Sequence, residues 1–146
     1  MMIEPKFWEV TWRFEDESFE VLQSNGEELT YEARATIISE GSPAEGMYLV
    51  LSGFALVMVR DPQSGSSRTI GIVEQGQSFG ELGLLVRRPH MATVIAGTDL
   101  RVLKITPEVL EEIEVEAPHV SIALYKKLAS TLAERIVNTS ELINLR

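Results

Sequence analysis

Residues 79–94 read FGELGLLVRRPHMATV. Gly80 and Gly83 bracket a single carboxylate, Glu81, in an otherwise apolar run. Glycine permits unusual torsions and close backbone approach. Phe79, Gly80, Glu81 and Leu82 put backbone N–H groups at the start of a helical turn, which is a natural cradle for an anion. Glu81 requires a hydrogen-bonding partner if it is buried. Arg87, Arg88 and His90 then bring positive charge nearby. A loop with amide donors, a carboxylate and basic side chains suits a ligand that carries both phosphate and sugar hydroxyls. Glycine-rich turns are also common in β-barrels, and Glu81 reads equally as a carboxylate tied to nearby amides or to an arginine.

Outward from this stretch the chain reads as short strands. Leu29–Tyr31, Thr36–Ile38, Met47–Leu51, Phe54–Arg60, Arg68–Val73, Val94–Ala96 and Leu100–Ile105 are β-type runs. They are separated by turn formers: Gly41–Gly46, Ser52-Gly53, the hairpin loop DPQSGSS at 61–67, and Gly97-Thr98-Asp99. Many short strands with frequent turns indicate an all-β sandwich or barrel. Before Asn25-Gly26, Glu15–Gln23 reads as a short helix with Phe14, Phe19 and Leu22 on one face. Trp8 and Trp12 read as local packing residues. Met47, Met58 and Met91 read as core or pocket filler.

After Ile105 the pattern becomes helical. Thr106-Pro107-Glu108 is a helix start, with threonine as N-cap and proline at the first position. That helix is expected to end near Val115, before Pro118. A second helix of about 28 residues, about 42 Å long, then runs to the C-terminus. Ile122, Tyr125, Ala129, Leu132, Ile136, Thr139 and Ile143 recur at alternating spacings of 3 and 4. That is an a/d seam. Leu128, Ala133 and Leu142 widen it, so the helix is expected to pack on its own barrel and on a second copy. His119 reads as a helix-start surface residue.

Composition narrows the function classes. The 146 residues suit one domain, and 45% hydrophobic with 24% charged residues is ordinary for a soluble globular protein. The net charge of -9 disfavours sequence-independent nucleic-acid binding. The absence of cysteine removes thiol catalysis, disulfides and thiolate metal sites, and fits a reducing cytosol. The opening MMIEPKFWEV is no signal peptide. The apolar stretch Met47–Val59 is too short to span a bilayer. A cytoplasmic protein without membrane insertion is the reading.

Residues 79–94 resemble the phosphate-binding cassette of cyclic-nucleotide-binding domains, F-G-E-[LI]-[AG]-L, a spacer, then P-R-[AS]-[AS]-[TS]-V. The spacing matches without a gap from Phe79 to Val94. ISEGSPAEGMYLVLSG at 38–53 resembles that family's glycine-spaced strands. LAERIVNTSEL at 132–142 resembles the long dimer helix of bacterial catabolite-activator proteins and of domains attached to sulfate-type transporters. The resemblance covers about residues 14–145. It implies a mainly β fold with helices: a double-stranded β-helix, or jelly-roll, barrel over about residues 26–105. A short N-terminal helix precedes the barrel, and C-terminal helices follow over about 107–145, the last one long and dimerising. The whole chain, 1–146, reads as one such domain. No helix-turn-helix follows the long helix before Arg146, so no DNA-binding domain is expected.

The resemblance also implies a site. Gly80 and Leu82 would present amides to the cyclic phosphate, and Glu81 would accept from the ribose 2′-hydroxyl. Ala92 and Thr93 would lie against the phosphate. Thr139 and Ser140 resemble a helix pair that reaches the base, in part from the partner subunit. The cassette arginine falls on His90. Arginine offers phosphate a planar, always-charged, bidentate fork. Histidine offers one such donor and is mostly neutral near pH 7. Losing a charged hydrogen bond costs about 1.5–3 kcal/mol, or about 10- to 100-fold in affinity. Arg87 or Arg88 would have to compensate. The candidate ligand-binding residues are thus Phe79, Gly80, Glu81, Leu82, Arg87, Arg88, His90, Met91, Ala92, Thr93, Thr139 and Ser140.

Three functions compete on this sequence. One is a sensor of cAMP or cGMP, with no other cofactor, that signals through the C-terminal helix to a separate effector protein. Another is a ligand-free domain kept for dimerisation or protein docking. The third, an enzyme such as a metal-dependent cupin, needs two or three histidines and a carboxylate on one metal. Only His90 and His119 exist, so the chain reads as neither an enzyme nor a metal protein.

Overall fold

The computed structural model describes residues 17–144 of the chain, with side chains through Val137. The expected residues Trp8, Trp12 and Phe14 lie outside the described residues. So do the side chains of Thr139, Ser140, Leu142 and Ile143.

Helix α1 (Glu17–Asn25) buries Phe19 and Leu22. Eight strands follow: β1 (Glu27–Tyr31), β2 (Thr36–Ile38), β3 (Met47–Ser52), β4 (Ala55–Arg60), β5 (Ser67–Val73), β6 (Ser78–Phe79), β7 (Thr93–Ala96) and β8 (Leu100–Ile105). The short helix α2 (Leu82–Leu85) lies between β6 and β7. The chain closes on α3 (Pro107–Glu116) and α4 (Pro118–Asn144). The sequence signals for α3 hold in detail, because Thr106 Oγ1 accepts the Val109 N–H at 3.2 Å and Pro107 opens the helix.

The strand pairing is nested. β1 pairs with β8, β2 with β7, β3 with β6 and β4 with β5, all antiparallel. This is the jelly-roll order expected from the sequence. The ladders form two four-stranded sheets, β1-β8-β3-β6 and β2-β7-β4-β5, rather than one closed barrel. One element escaped the sequence reading: strand β6 has only two residues, too few to show a period. The helical turn expected at the cassette is α2, a single turn.

Strand β3 shows why the core has two halves. Its first five residues, Met47 to Leu51, are all buried, which requires cover on both faces. Successive side chains on a strand point to opposite faces. Tyr48 and Val50 join Phe79, Val94, Ala96 and Val102 between the sheets. Met47, Leu49 and Leu51 join Phe19, Leu22, Leu103, Ile105, Leu110 and Ile113 under the helices. Val120, Leu124 and Leu128, four residues apart on α4, anchor that helix in the same cluster. Beyond Leu128 no described residue of α4 is buried. The expected a/d seam faces outward instead: Ile122 is 55% exposed, Tyr125 40% and Ile136 66%. Tyr125 also ties α4 to α3, donating to Glu114 at 2.7 Å, and that carboxylate pushes the phenol pKa up to about 12.

This division predicts unequal costs on truncation. Leu124→Ala should lower unfolding free energy by about 2–5 kcal/mol, the usual range for a buried leucine. Val115→Ala, on an exposed α3 position, should stay within about 0.5 kcal/mol. Urea unfolding of the two variants checks this, and comparable losses would show that α4 is not anchored as described.

Candidate functional site

The cassette begins where β6 ends. Phe79 stacks on Tyr48, with ring centroids 5.1 Å apart and 8° between planes. Gly80 then turns the chain with φ of 78°. A Cβ at Gly80 would lie 3.1 Å from the Gly46 carbonyl oxygen, and one at Gly83 only 2.7 Å from the Ala44 Cβ. The two glycines therefore let the cassette sit directly on the loop that leads into β3. The turn closes through Gly83 N–H to Gly80 O at 3.0 Å and Leu84 N–H to Glu81 O at 3.0 Å. The amides of Glu81 and Leu82 precede these bonds, at the open start of the turn.

A cavity of about 510 Å³ opens against this turn, within the range of small-molecule sites. Apolar side chains of β2, β4, β5, β6 and β7 form most of its wall, among them Ile38, Val57, Ile70, Ile72 and Val94. Gly80, Glu81, Leu82, His90, Met91 and Ala92 complete the cassette side. Ile70 and Ile72 are exposed by 55% and 57% at its mouth.

Glu81 is 2% exposed. Its Oε1 accepts from Ser78 Oγ at 2.7 Å. Arg135, on α4, donates Nη1 to Oε2 at 2.8 Å and Nη2 to Oε1 at 3.2 Å. The same Nη2 reaches the Ser78 carbonyl at 3.1 Å. Arg135 also lines the cavity, and its side chain is 49% exposed. Thus a buried carboxylate under the cassette is held by a fork from the C-terminal helix. Among described residues, no group of three or more His, Asp or Glu side chains is placed to hold a metal ion.

The expected site residues divide. Phe79, Gly80, Glu81, Leu82, His90, Met91 and Ala92 converge on the cavity. Arg87 and Arg88 do not: both are exposed and neither lines it. The chain leaves α2 through Arg87 in a left-handed conformation, φ 52°, as helices commonly end. Thr93 also faces away, since its Oγ1 accepts the Glu40 N–H at 3.1 Å while the next residue, Val94, faces the cavity. Thr139 and Ser140 belong to α4, with side chains outside the description. Met91 is a second departure from the cassette pattern, which asks for a small residue there; it is 72% exposed.

The sequence reading missed Arg135. Two signals pointed to it. A buried Glu81 demands a partner, and Arg135 lies one turn before Thr139 on the same helix face. His90 is pinned by its backbone: its N–H donates to Ser42 O at 3.0 Å, and its carbonyl accepts from Gly41 N–H at 2.8 Å. Burial holds the imidazole pKa below its ordinary value, and Glu45 pulls weakly the other way.

Comparison with known proteins follows from this geometry. Residues 28–114 match the sequence profile of the cyclic nucleotide-binding domain, and the chain belongs to that family. The family is a regulatory, ligand-binding one, in line with the non-enzymatic reading of the sequence. The cAMP-dependent protein kinase regulatory subunit of Aspergillus niger is 36% identical over 77 residues, which is 53% of this chain and 18% of that protein. The chain thus spans less than a fifth of the length of that relative. Thermus thermophilus catabolite activator protein superposes with a TM-score of 0.77 at 25% identity, covering 88% of this chain and 58% of that one. A cyclic nucleotide-binding domain from Methylobacillus flagellatus gives a TM-score of 0.79 at 21% identity, over 91% and 76% of the two chains; that likeness is one of fold.

The Glu81–Arg135 contact predicts an asymmetric pair of costs. Arg135→Ala strands a buried carboxylate and should cost on the order of 1–3 kcal/mol. Glu81→Gln leaves a half-exposed guanidinium that water can serve, and should cost less. In a double-mutant cycle by urea unfolding the pair should couple by about 0.5–3 kcal/mol. Strictly additive effects would show that the fork contributes nothing.

Proposed function

We propose that the chain is a cytoplasmic regulatory module that binds a cyclic nucleotide, cAMP or cGMP, in the cassette cavity and reports occupancy through α4. The observation that carries this reading is the fork of Arg135 on Glu81. It couples the carboxylate that the family resemblance assigns to the ribose hydroxyl to a helix that buries no described residue beyond Leu128. A ribose hydroxyl arriving at Glu81 competes with Arg135 for the same oxygens. The carboxylate's differential contact with ligand and helix is what a two-state element needs. The amides of Gly80 and Leu82 would meet the phosphate, and Met91 and Ala92 would flank it.

The exposed stripe of Ile122, Tyr125 and Ile136 supports pairing of α4 with α4 of a second copy, and hence a homodimer. A separate effector protein would read the helix. Residues 1–146 act as one such domain in this reading.

A second reading, a ligand-free docking or dimerisation domain, is favoured by a different observation. Glu81 is already served by Ser78 and Arg135, and the cassette has no arginine of its own at the cavity. Calorimetric titration with cAMP and with cGMP at pH 6 separates the two. The sensor reading predicts saturable one-to-one binding that weakens about 10- to 100-fold in Glu81→Ala, the worth of one hydrogen bond to a charged group. The docking reading predicts no heat and no shift in melting temperature at millimolar nucleotide. Sedimentation should give a dimer that Ile136→Glu converts to monomer; a monomeric native chain at micromolar concentration would contradict the proposed pairing.

A further inference from the structure

We propose that His90 makes this site proton-coupled: it holds the phosphodiester as an imidazolium, so each cyclic nucleotide bound brings a proton with it. The inference rests on the reading that the cavity takes a cyclic nucleotide, and it names what regulates that site.

Among the described residues, the ionisable ones that line the cavity are Glu81, Arg135 and His90. Glu81 and Arg135 neutralise each other at 2.8 Å. The rest of the lining is aliphatic, aromatic, thioether or glycine. A phosphodiester monoanion entering such a wall needs a countercharge, because an unpaired charge in apolar surroundings is costly. The neighbouring arginines do not provide it, since Arg87 and Arg88 stand outside the lining. His90 remains.

Its position suits that task. The two backbone bonds to Gly41 and Ser42 fix the residue at the cavity edge. From the loop before β3, Glu45 faces it, but that carboxylate is engaged by Lys104 at 2.9 Å. From the cassette and α4, Glu81 and Arg135 face the same cavity with zero net charge, a balance that a neutral ribose hydroxyl at Glu81 leaves unchanged. Without ligand, burial holds the imidazole pKa below its ordinary value and so favours the neutral form. A phosphodiester beside it favours the charged form, and an opposite charge at contact shifts a pKa by about 1–3 units.

The sign follows directly. Bound His90 titrates at higher pH than free His90, so affinity is lowest at high pH. It rises as pH falls through the bound value and levels off below the free value. Between the two, affinity changes by a factor approaching ten per pH unit. The module then responds to ligand and mild acidity jointly, where an arginine in the same place would respond to ligand alone.

The test is calorimetric titration with cAMP at pH 5.5, 6.5 and 7.5, each in two buffers of different ionisation enthalpy. This yields both affinity and protons taken up. The expected result is net proton uptake, approaching one per site, and about 10-fold or greater weakening from pH 5.5 to 7.5. His90→Arg should bind without uptake and with little pH dependence; His90→Gln should bind weakly at every pH. Wild-type binding without proton uptake, or pH dependence retained in His90→Gln, would overturn the inference and leave the nucleotide reading intact. Binding by His90→Arg while the wild type stays silent even at pH 5.5 would overturn it likewise. Silence of both proteins would overturn the nucleotide reading itself.

Discussion

A carboxylate buried beneath an apolar cavity must be paired, and at Glu81 the partner comes from α4, over fifty residues away in sequence. That requirement organises the rest. Ser78 and the fork of Arg135 occupy both carboxylate oxygens. A cost that would otherwise fall on the cassette is thereby turned into a tie between the cassette and the C-terminal helix. Because Arg135 is half exposed, the tie is strong on one side only. The carboxylate needs the arginine more than the arginine needs the carboxylate, since water can serve a guanidinium but does not reach Glu81. Under the proposed function, a ribose hydroxyl at Glu81 shares the oxygens that hold α4.

The packing makes that tie consequential. Val120, Leu124 and Leu128 fix the first half of α4 in the cluster under β3 and β8. Past Leu128 the helix presents partly or fully exposed residues, including Ile136 and Val137. Arg135, the tether to Glu81, lies past that anchored half and sits on the cavity wall. The two cassette glycines serve the same geometry from the other side. They bring the cassette turn down onto the Ala44–Gly46 loop, close enough that a side chain at Gly83 would clash with Ala44.

Most of the fold was legible in the sequence because its signals are local. Turn formers delimit the strands, and Thr106-Pro107 starts α3 as N-caps do. The nested strand order was accessible only through the family resemblance, since long-range pairing leaves little local trace. The cassette residues that line the cavity were singled out by their resemblance to the family's phosphate-binding pattern, because the glycine frame by itself left the ligand reading open. What sequence reasoning misplaced were Arg87, Arg88 and Thr93. Their charge and hydroxyl suggested a ligand, but a left-handed helix exit and the alternation of β7 turn them away. What it missed was Arg135, whose role depends on where a long helix crosses a cavity. The outward face of Ile122, Tyr125 and Ile136 was visible as a heptad, and the structure adds that Val120, Leu124 and Leu128 do the internal packing instead.

The central claim is that the cavity and α4 are joined through Glu81 and Arg135. Hydrogen–deuterium exchange across residues 118–146, with and without saturating cAMP, tests it most directly. The account predicts that cAMP changes amide protection in the half of α4 beyond Leu128, and that Arg135→Ala abolishes the change while nucleotide still binds. Identical exchange in α4 with nucleotide demonstrably bound would contradict it.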